Sequence, residues 1–171
     1  MKRRGVDPEL LWLAARRVSA KLTKSGVPHA LIGGLAVGVY GYEAATNDVD
    51  FLILGEDLAK LTGRPLTKGL TEMDQAVRID YVNVDDEISA DRVEHIVRYE
   101  TTLHADVPVV SVPALVLLKL VAGRMKDKAA VVELLKRGRV PLKATAAMLS
   151  EVSEDLVSEF NLCLLEAKQE G

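Results

Sequence analysis

Residues 33–54 read GGLAVGVYGYEAATNDVDFLIL, and this stretch decides the fold. Two adjacent glycines follow the short apolar segment HALI at 29–32. After a further helix-compatible stretch, two aspartates separated by one valine stand at the head of an otherwise oily run. Residues 29–32 are short and apolar enough for a strand, Gly33-Gly34 breaks it, and LAVGVYG can continue as a helix. The segment DVDFLIL at 48–54 is a strand rich in branched and aromatic side chains. In a strand, residues i and i+2 share a face, so Asp48 and Asp50 stand side by side while Val49 and Phe51 point the other way.

The rest of the chain organises around this unit. Asp7 before Pro8 and Glu9 is a helix start, and Leu11, Ala14, Val18 and Leu22 recur at helical spacing towards Gly26 and Pro28. RIDYVNV at 78–84 and VPVVS at 107–111 read as further strands, while EDLAKLTG and ADRVEHIVRYE read as helices. From Pro113 onward the pattern is helical, with a break near Gly123 and new starts at Pro141 and Ser153. The expected class is α/β (α+β), a mixed sheet of four or five strands flanked mainly on one face by helices, with a helical C-terminal portion. The expected division is an α/β core over 1–125 and a helical extension over 126–171 packed on it as one compact unit.

Composition narrows the function. Among 171 residues, 49% are hydrophobic and 27% charged, the balance of a packed globular chain. Lys and Arg number 22 against 25 Asp and Glu, so the net charge of -3 gives no general attraction to nucleic acid or anionic membrane. Cys163 is the only cysteine, which excludes an internal disulfide and a thiolate zinc cluster. The opening MKRRGVDPELLW lacks the apolar centre of a secretory signal, and no apolar run reaches the roughly 18 residues of a membrane span. A cytoplasmic, non-membrane protein is expected.

Two like charges on one rigid face repel each other and lose hydration, a problem that a divalent cation removes. Oxygen ligands without nearby histidine or cysteine favour Mg²⁺ or Mn²⁺ over zinc, and Asp80, inside RIDYVNV, is the candidate third carboxylate. A Gly-Gly turn leading into a helix lets backbone N–H groups approach an anion closely, so phosphates would sit between glycines and metal. The same residues also admit a structural reading: Asn47-Asp48 suits a turn, Gly33-Gly34 suits close packing of strand and helix, and Asp80 can pair with Arg78. His29, His95 and His104 show no metal-ligand spacing, and Cys163 sits among leucines. Lys136, Arg137, Arg139 and Lys143 make either a nucleic-acid contact or, more commonly, a solvated helix end.

The order Gly33-Gly34, Thr46, Asp48-Val49-Asp50, then Asp80 in a later strand resembles the DNA polymerase β-like nucleotidyltransferase superfamily. It is similar in particular to the GG-x-A, then T-x-D-[VI]-D form of small bacterial nucleotidyltransferases, among them toxins of toxin and antitoxin pairs and abortive-infection proteins. VVSVPALVLLKLVAGRMKDKAAVVELL resembles their usual continuation, so the likeness covers roughly 28–136. It implies that Gly33 and Gly34 bind a nucleoside triphosphate, that Asp48 and Asp50 ligate Mg²⁺ or Mn²⁺, and that Asp80 is third ligand and base. It places Thr46 in the same nucleotide site and turns Lys119 to the phosphates or the hinge of the fold. The implied reaction moves a nucleotidyl group to tRNA, a protein or a small molecule, and an antitoxin or a second copy is an implied partner. Ala44 and Ala130 stand where many relatives carry arginine and aspartate, which keeps open a non-catalytic binding or regulatory role.

Overall fold

A computed structural model of the chain describes residues 5–64 and 69–171. In order, its elements are α1 (Pro8–Lys24), β1 (Ala30–Ile32), α2 (Gly33–Val39), β2 (Asp48–Leu52), α3 (Gly55–Thr62), β3 (Gly69–Asp74), β4 (Val77–Val82), α4 (Asp85–Ile88), α5 (Ala90–Tyr99), β5 (Thr101–His104), β6 (Val107–Val110), α6 (Val112–Ala122), α7 (Met125–Lys136), α8 (Leu142–Val152) and α9 (Glu154–Glu170). The chain divides into two compact units, one comprising 1–36 and 45–110 and the other 37–44 and 111–171. The helical unit thus begins at 111 and also takes in 37–44. The physical reason is that α6 packs with α7, α8 and α9, so the helical unit begins where β6 ends.

The first unit holds a six-stranded mixed sheet in the order β3-β4-β2-β1-β6-β5. β2 runs antiparallel to β1 and parallel to β4, β1 runs parallel to β6, and β3 and β5 close the two edges as antiparallel hairpins. This is two strands more than the lower expectation and one more than the upper. Val49, Phe51 and Ile79 are fully buried on one face, and α1 packs against β2, β4 and β6. Asp7 caps α1 by accepting the Glu9 N–H at 3.0 Å, and Leu11, Ala14, Ala15, Val18 and Leu22 form its buried stripe.

His29 anchors the same face. Its Nδ1 lies 2.8 Å from the Val27 carbonyl, which can only accept, so Nδ1 carries the proton and Nε2 accepts from the Ser19 hydroxyl at 2.7 Å. The ring meets Phe51 edge-on with centroids 5.4 Å apart. His29 is thus a satisfied core residue, and burial lowers its pKa, with the hydrogen bond to Val27 opposing the shift.

The second unit packs α6 on α7, α8 and α9, and α9 on α7 and α8. Gly123 ends α6 at φ +68°, the left-handed conformation that reverses the chain before α7. Cys163 is buried here, and burial pushes its thiol pKa up. Lys136 and Arg137 both pair with Glu133, and Lys136 also reaches Glu170 at 3.2 Å.

Candidate functional site

The acids lie on the two central strands. In β4, as in β2, alternate residues are buried, so Asp48 and Asp50 leave the α1-covered face, and so do Arg78 and Asp80. The parallel register sets Asp50 directly opposite Asp80 and Asp48 opposite Arg78. Three carboxylates and one guanidinium therefore share the face of the sheet away from α1.

Gly33 approaches this face as backbone. It opens α2 immediately after β1 with φ +74°, a conformation that glycine adopts without strain. A Cβ built there would lie 2.2 Å from Asp50 Oδ2 and 2.9 Å from its Cγ, so the Gly33 main chain sits against the Asp50 carboxylate. At Gly34 a Cβ would meet Thr46 Cβ at 2.9 Å and Oγ1 at 3.1 Å. Thr46 in turn donates its hydroxyl to the Asp48 carbonyl at 3.3 Å, and Asn47 Oδ1 accepts the Val6 N–H at 3.1 Å. The two glycines thus meet, one each, the second aspartate and the threonine that the resemblance groups with them.

Asp80 is held by its own partners. Its Oδ1 accepts from Thr71 Oγ1 at 2.6 Å across the β3–β4 pair and from Arg78 Nε at 3.1 Å. The Arg78–Asp80 ion pair, one of the structural alternatives open from the sequence, is formed. The hydrogen bond and charge of Asp80, followed by the charges of Asp48 and Asp50, raise the pKa of Arg78. Thr71 was missed from sequence because β3 itself was not expected.

The three carboxylates are donors of the kind a hard divalent cation takes, but the Arg78 guanidinium shares their face. Their arrangement is incomplete: among the described residues, no three histidine, cysteine or acidic side chains are gathered closely enough to hold a metal ion. The acids share a face, and Asp80 is engaged by Arg78 and Thr71 rather than turned jointly with Asp48 and Asp50 onto one point.

Lys119 stands in the helical unit. Its Nζ donates to Asp127 at 3.1 Å, and Arg124 Nε reaches the same carboxylate at 2.7 Å. Burial pulls the Asp127 pKa up, but the bonds from Arg124 and Lys119 outweigh it and hold the carboxyl below the usual range. Lys119 thus links the end of α6 to the start of α7. Ala130 is buried in α7, and Ala44 is exposed. His95 stands 3.8 Å from Glu100, and the His104 ring lies 4.8 Å from that of Trp12.

The mixed six-stranded sheet flanked by helices, followed by a helical C-terminus, matches the fold of a nucleotidyltransferase-like protein. In particular, the chain is similar to an antigenic nucleotidyltransferase-like protein from Paracoccidioides brasiliensis, with a TM-score of 0.53 and 16% identity over 98% of this chain and 90% of that one. A second solved structure, an H. pylori protein assigned provisionally to the nucleotidyltransferases, gives a TM-score of 0.49 at 15% identity over 95% of this chain and 84% of that one. That second likeness is too loose to carry an argument. No protein-family model and no curated protein sequence matches the chain. Among the described residues no helix is long and apolar enough to cross a membrane.

Proposed function

We propose that the chain is a metal-dependent nucleotidyltransferase that transfers a nucleotidyl group from a nucleoside triphosphate to an acceptor and releases pyrophosphate. The observation that carries the reading is the cross-strand pairing of Asp50 with Asp80, with Asp48 on the same face and the Gly33 backbone against the Asp50 carboxylate. The fold likeness supports it.

In this reading Asp48 and Asp50 hold Mg²⁺ or Mn²⁺, and Asp80 completes the set once Arg78 yields. The ion supplies charge neutralisation at the reacting phosphate. The Gly33 and Gly34 main chain lies along the triphosphate, and Thr46 fixes the approach of the loop to Asp48. An acceptor hydroxyl oxygen bonds to the α-phosphorus, the bond from that phosphorus to the pyrophosphate oxygen breaks, and the hydroxyl proton passes to Asp80. The acceptor belongs to the class of tRNA, protein side chains or small hydroxyl compounds, and the setting is cytoplasmic.

A second reading, a fold of this kind that binds or regulates without turnover, for instance as one half of a toxin and antitoxin pair, is favoured by the Arg78–Asp80 pair and by the absence of three gathered ligands among the described residues. One experiment separates the two. Each α-labelled nucleoside triphosphate is incubated with the chain, Mg²⁺ or Mn²⁺ and a cell extract, alongside Asp48→Asn plus Asp50→Asn. A labelled macromolecule or small product that the double substitution abolishes supports the enzyme. Metal-dependent triphosphate binding without any labelled product supports the silent binder.

A further inference from the structure

We infer that β5 is a docking edge for a second copy of this chain: β5 of each copy pairs antiparallel with β5 of the other about a two-fold axis, joining the two sheets. This pairing is independent of the metal-dependent reading above. β5 closes one end of the strand order, and among the described residues it pairs with β6 alone. An edge strand presents a row of unpaired N–H and C=O groups, so the occupant its main chain fits is another extended strand. Thr102, Leu103 and His104 are all exposed, Leu103 at 76%, so this edge lies open to solvent.

The two ends of the sheet differ in charge. β3, the opposite edge, carries Glu72 and Asp74, and charge of one sign keeps such edges apart. β5 reads Thr-Thr-Leu-His, without acid, lysine, arginine or proline. It is complementary to itself. A two-fold axis normal to the sheet keeps each face on its own side, so with Leu103 on the axis, Leu103 meets its own equivalent and Thr102 meets His104. No like charges are opposed, and the most exposed leucine among the described residues is covered. Asp106, in the turn beyond the strand, already meets Arg16 at 3.7 Å. The strand is also held ready, since the His104 ring lies against Trp12 of α1, and a pre-organised edge loses little freedom on pairing. Four residues a side fall far short of the roughly 20–30 of a standard interface, so the association is weak and concentration-dependent.

The test is sedimentation equilibrium of the full chain from about 10 μM to about 1 mM, the span in which so small an interface associates. The mass of the wild type is expected to rise from one copy towards two. Leu103→Lys sets like charge on the axis and is expected to weaken association about tenfold, while Met73→Lys, on the opposite edge, follows the wild type. A second measurement uses Leu103→Cys, with which the buried Cys163 does not compete. Residues directly opposite on paired strands place their Cβ atoms about 4.5 Å apart, within reach of a disulfide, so mild oxidation is expected to link two copies about tenfold faster than it links Met73→Cys. A single copy at every concentration overturns the inference, as does growth beyond two copies. Association indifferent to Leu103→Lys, or linkage no faster from Leu103→Cys than from Met73→Cys, places the contact elsewhere and overturns it as well.

Discussion

Replacing Gly33 with alanine tests whether the glycine is there for the Asp50 carboxylate. The new Cβ would fall 2.2 Å from Asp50 Oδ2, 2.9 Å from Cγ and 3.1 Å from Cβ, so rotation of the carboxylate alone does not clear the last contact. An alanine at φ +74° also costs about 1–2 kcal/mol for its left-handed backbone. Forcing Asp50 aside adds about 1–3 kcal/mol, the range of overpacking in close-fitted structure. The total expected is about 2–5 kcal/mol. Gly26 supplies the control, because at φ +71° nothing lies within 4 Å of its virtual Cβ, and Gly26→Ala carries the backbone cost alone. Urea unfolding followed through Trp12, the only tryptophan and a residue of the sheet unit, gives each value. In an Asp50→Ala background the two nearest atoms are gone, and the cost of Gly33→Ala is expected to fall towards that of Gly26→Ala. Equal costs for Gly33→Ala and Gly26→Ala, or a Gly33→Ala cost that ignores Asp50→Ala, refute the contact.

Other consequences are open to simpler measurements. Asp48→Asn plus Asp50→Asn is expected to abolish triphosphate and Mn²⁺ binding by calorimetry while the circular-dichroism spectrum stays that of the wild type; binding that survives the double substitution would move the ligand away from these acids. His29 is buried with its pKa lowered from 6.5, so below that pH the unfolded chain binds the proton more readily than the folded one. Stability is therefore full above about pH 6.5 and is lost as the pH falls, by at most about 1.4 kcal/mol per unit, and a His29→Gln variant is expected to lack this component of the slope in urea titrations at pH 7.5, 6.5 and 5.5. Asp127→Ala strands Lys119, whose side chain is only 12% exposed, and is expected to destabilise the helical unit by about 2–4 kcal/mol in circular-dichroism melts, with Asp127→Asn losing less.

The central strands were legible because burial on one or both faces writes itself into the sequence: β2, β4 and β6 are short apolar or alternating runs. The edge strands were not. β3 (GLTEMD) and β5 (TTLH) are largely exposed and carry no apolar stripe. Their hairpins also hide, because the turns place Gln75 at φ 54°, and Ala105 and Asp106 at φ 49° and 64°, without the glycine that normally marks such conformations. The site divides in the same way. The i, i+2 rule puts Asp48 with Asp50 and Arg78 with Asp80 from sequence, whereas the register that joins these pairs is a long-range choice no local pattern records. Thr71 was invisible because its strand was. Lys119 bonds Asp127 across the left-handed turn at Gly123, a pairing between two helices that no local pattern in the sequence records.

Two of the acids face each other across interior strands. β2 and β4 are interior strands, flanked on both sides, and the α1 side of each is closed by residues such as Val49, Phe51 and Ile79 that exclude water completely. On the other side, Asp48 stands opposite Arg78, a favourable pairing, whereas Asp50 stands opposite Asp80, like charge against like charge. Edge strands commonly carry charge to discourage aggregation, but that reason does not apply to the middle of a sheet. The chain sustains the arrangement with a glycine pressed against one carboxylate and with an arginine and a threonine on another. In the proposed reading, a cation brought to that face is what would offset the pairing of Asp50 with Asp80.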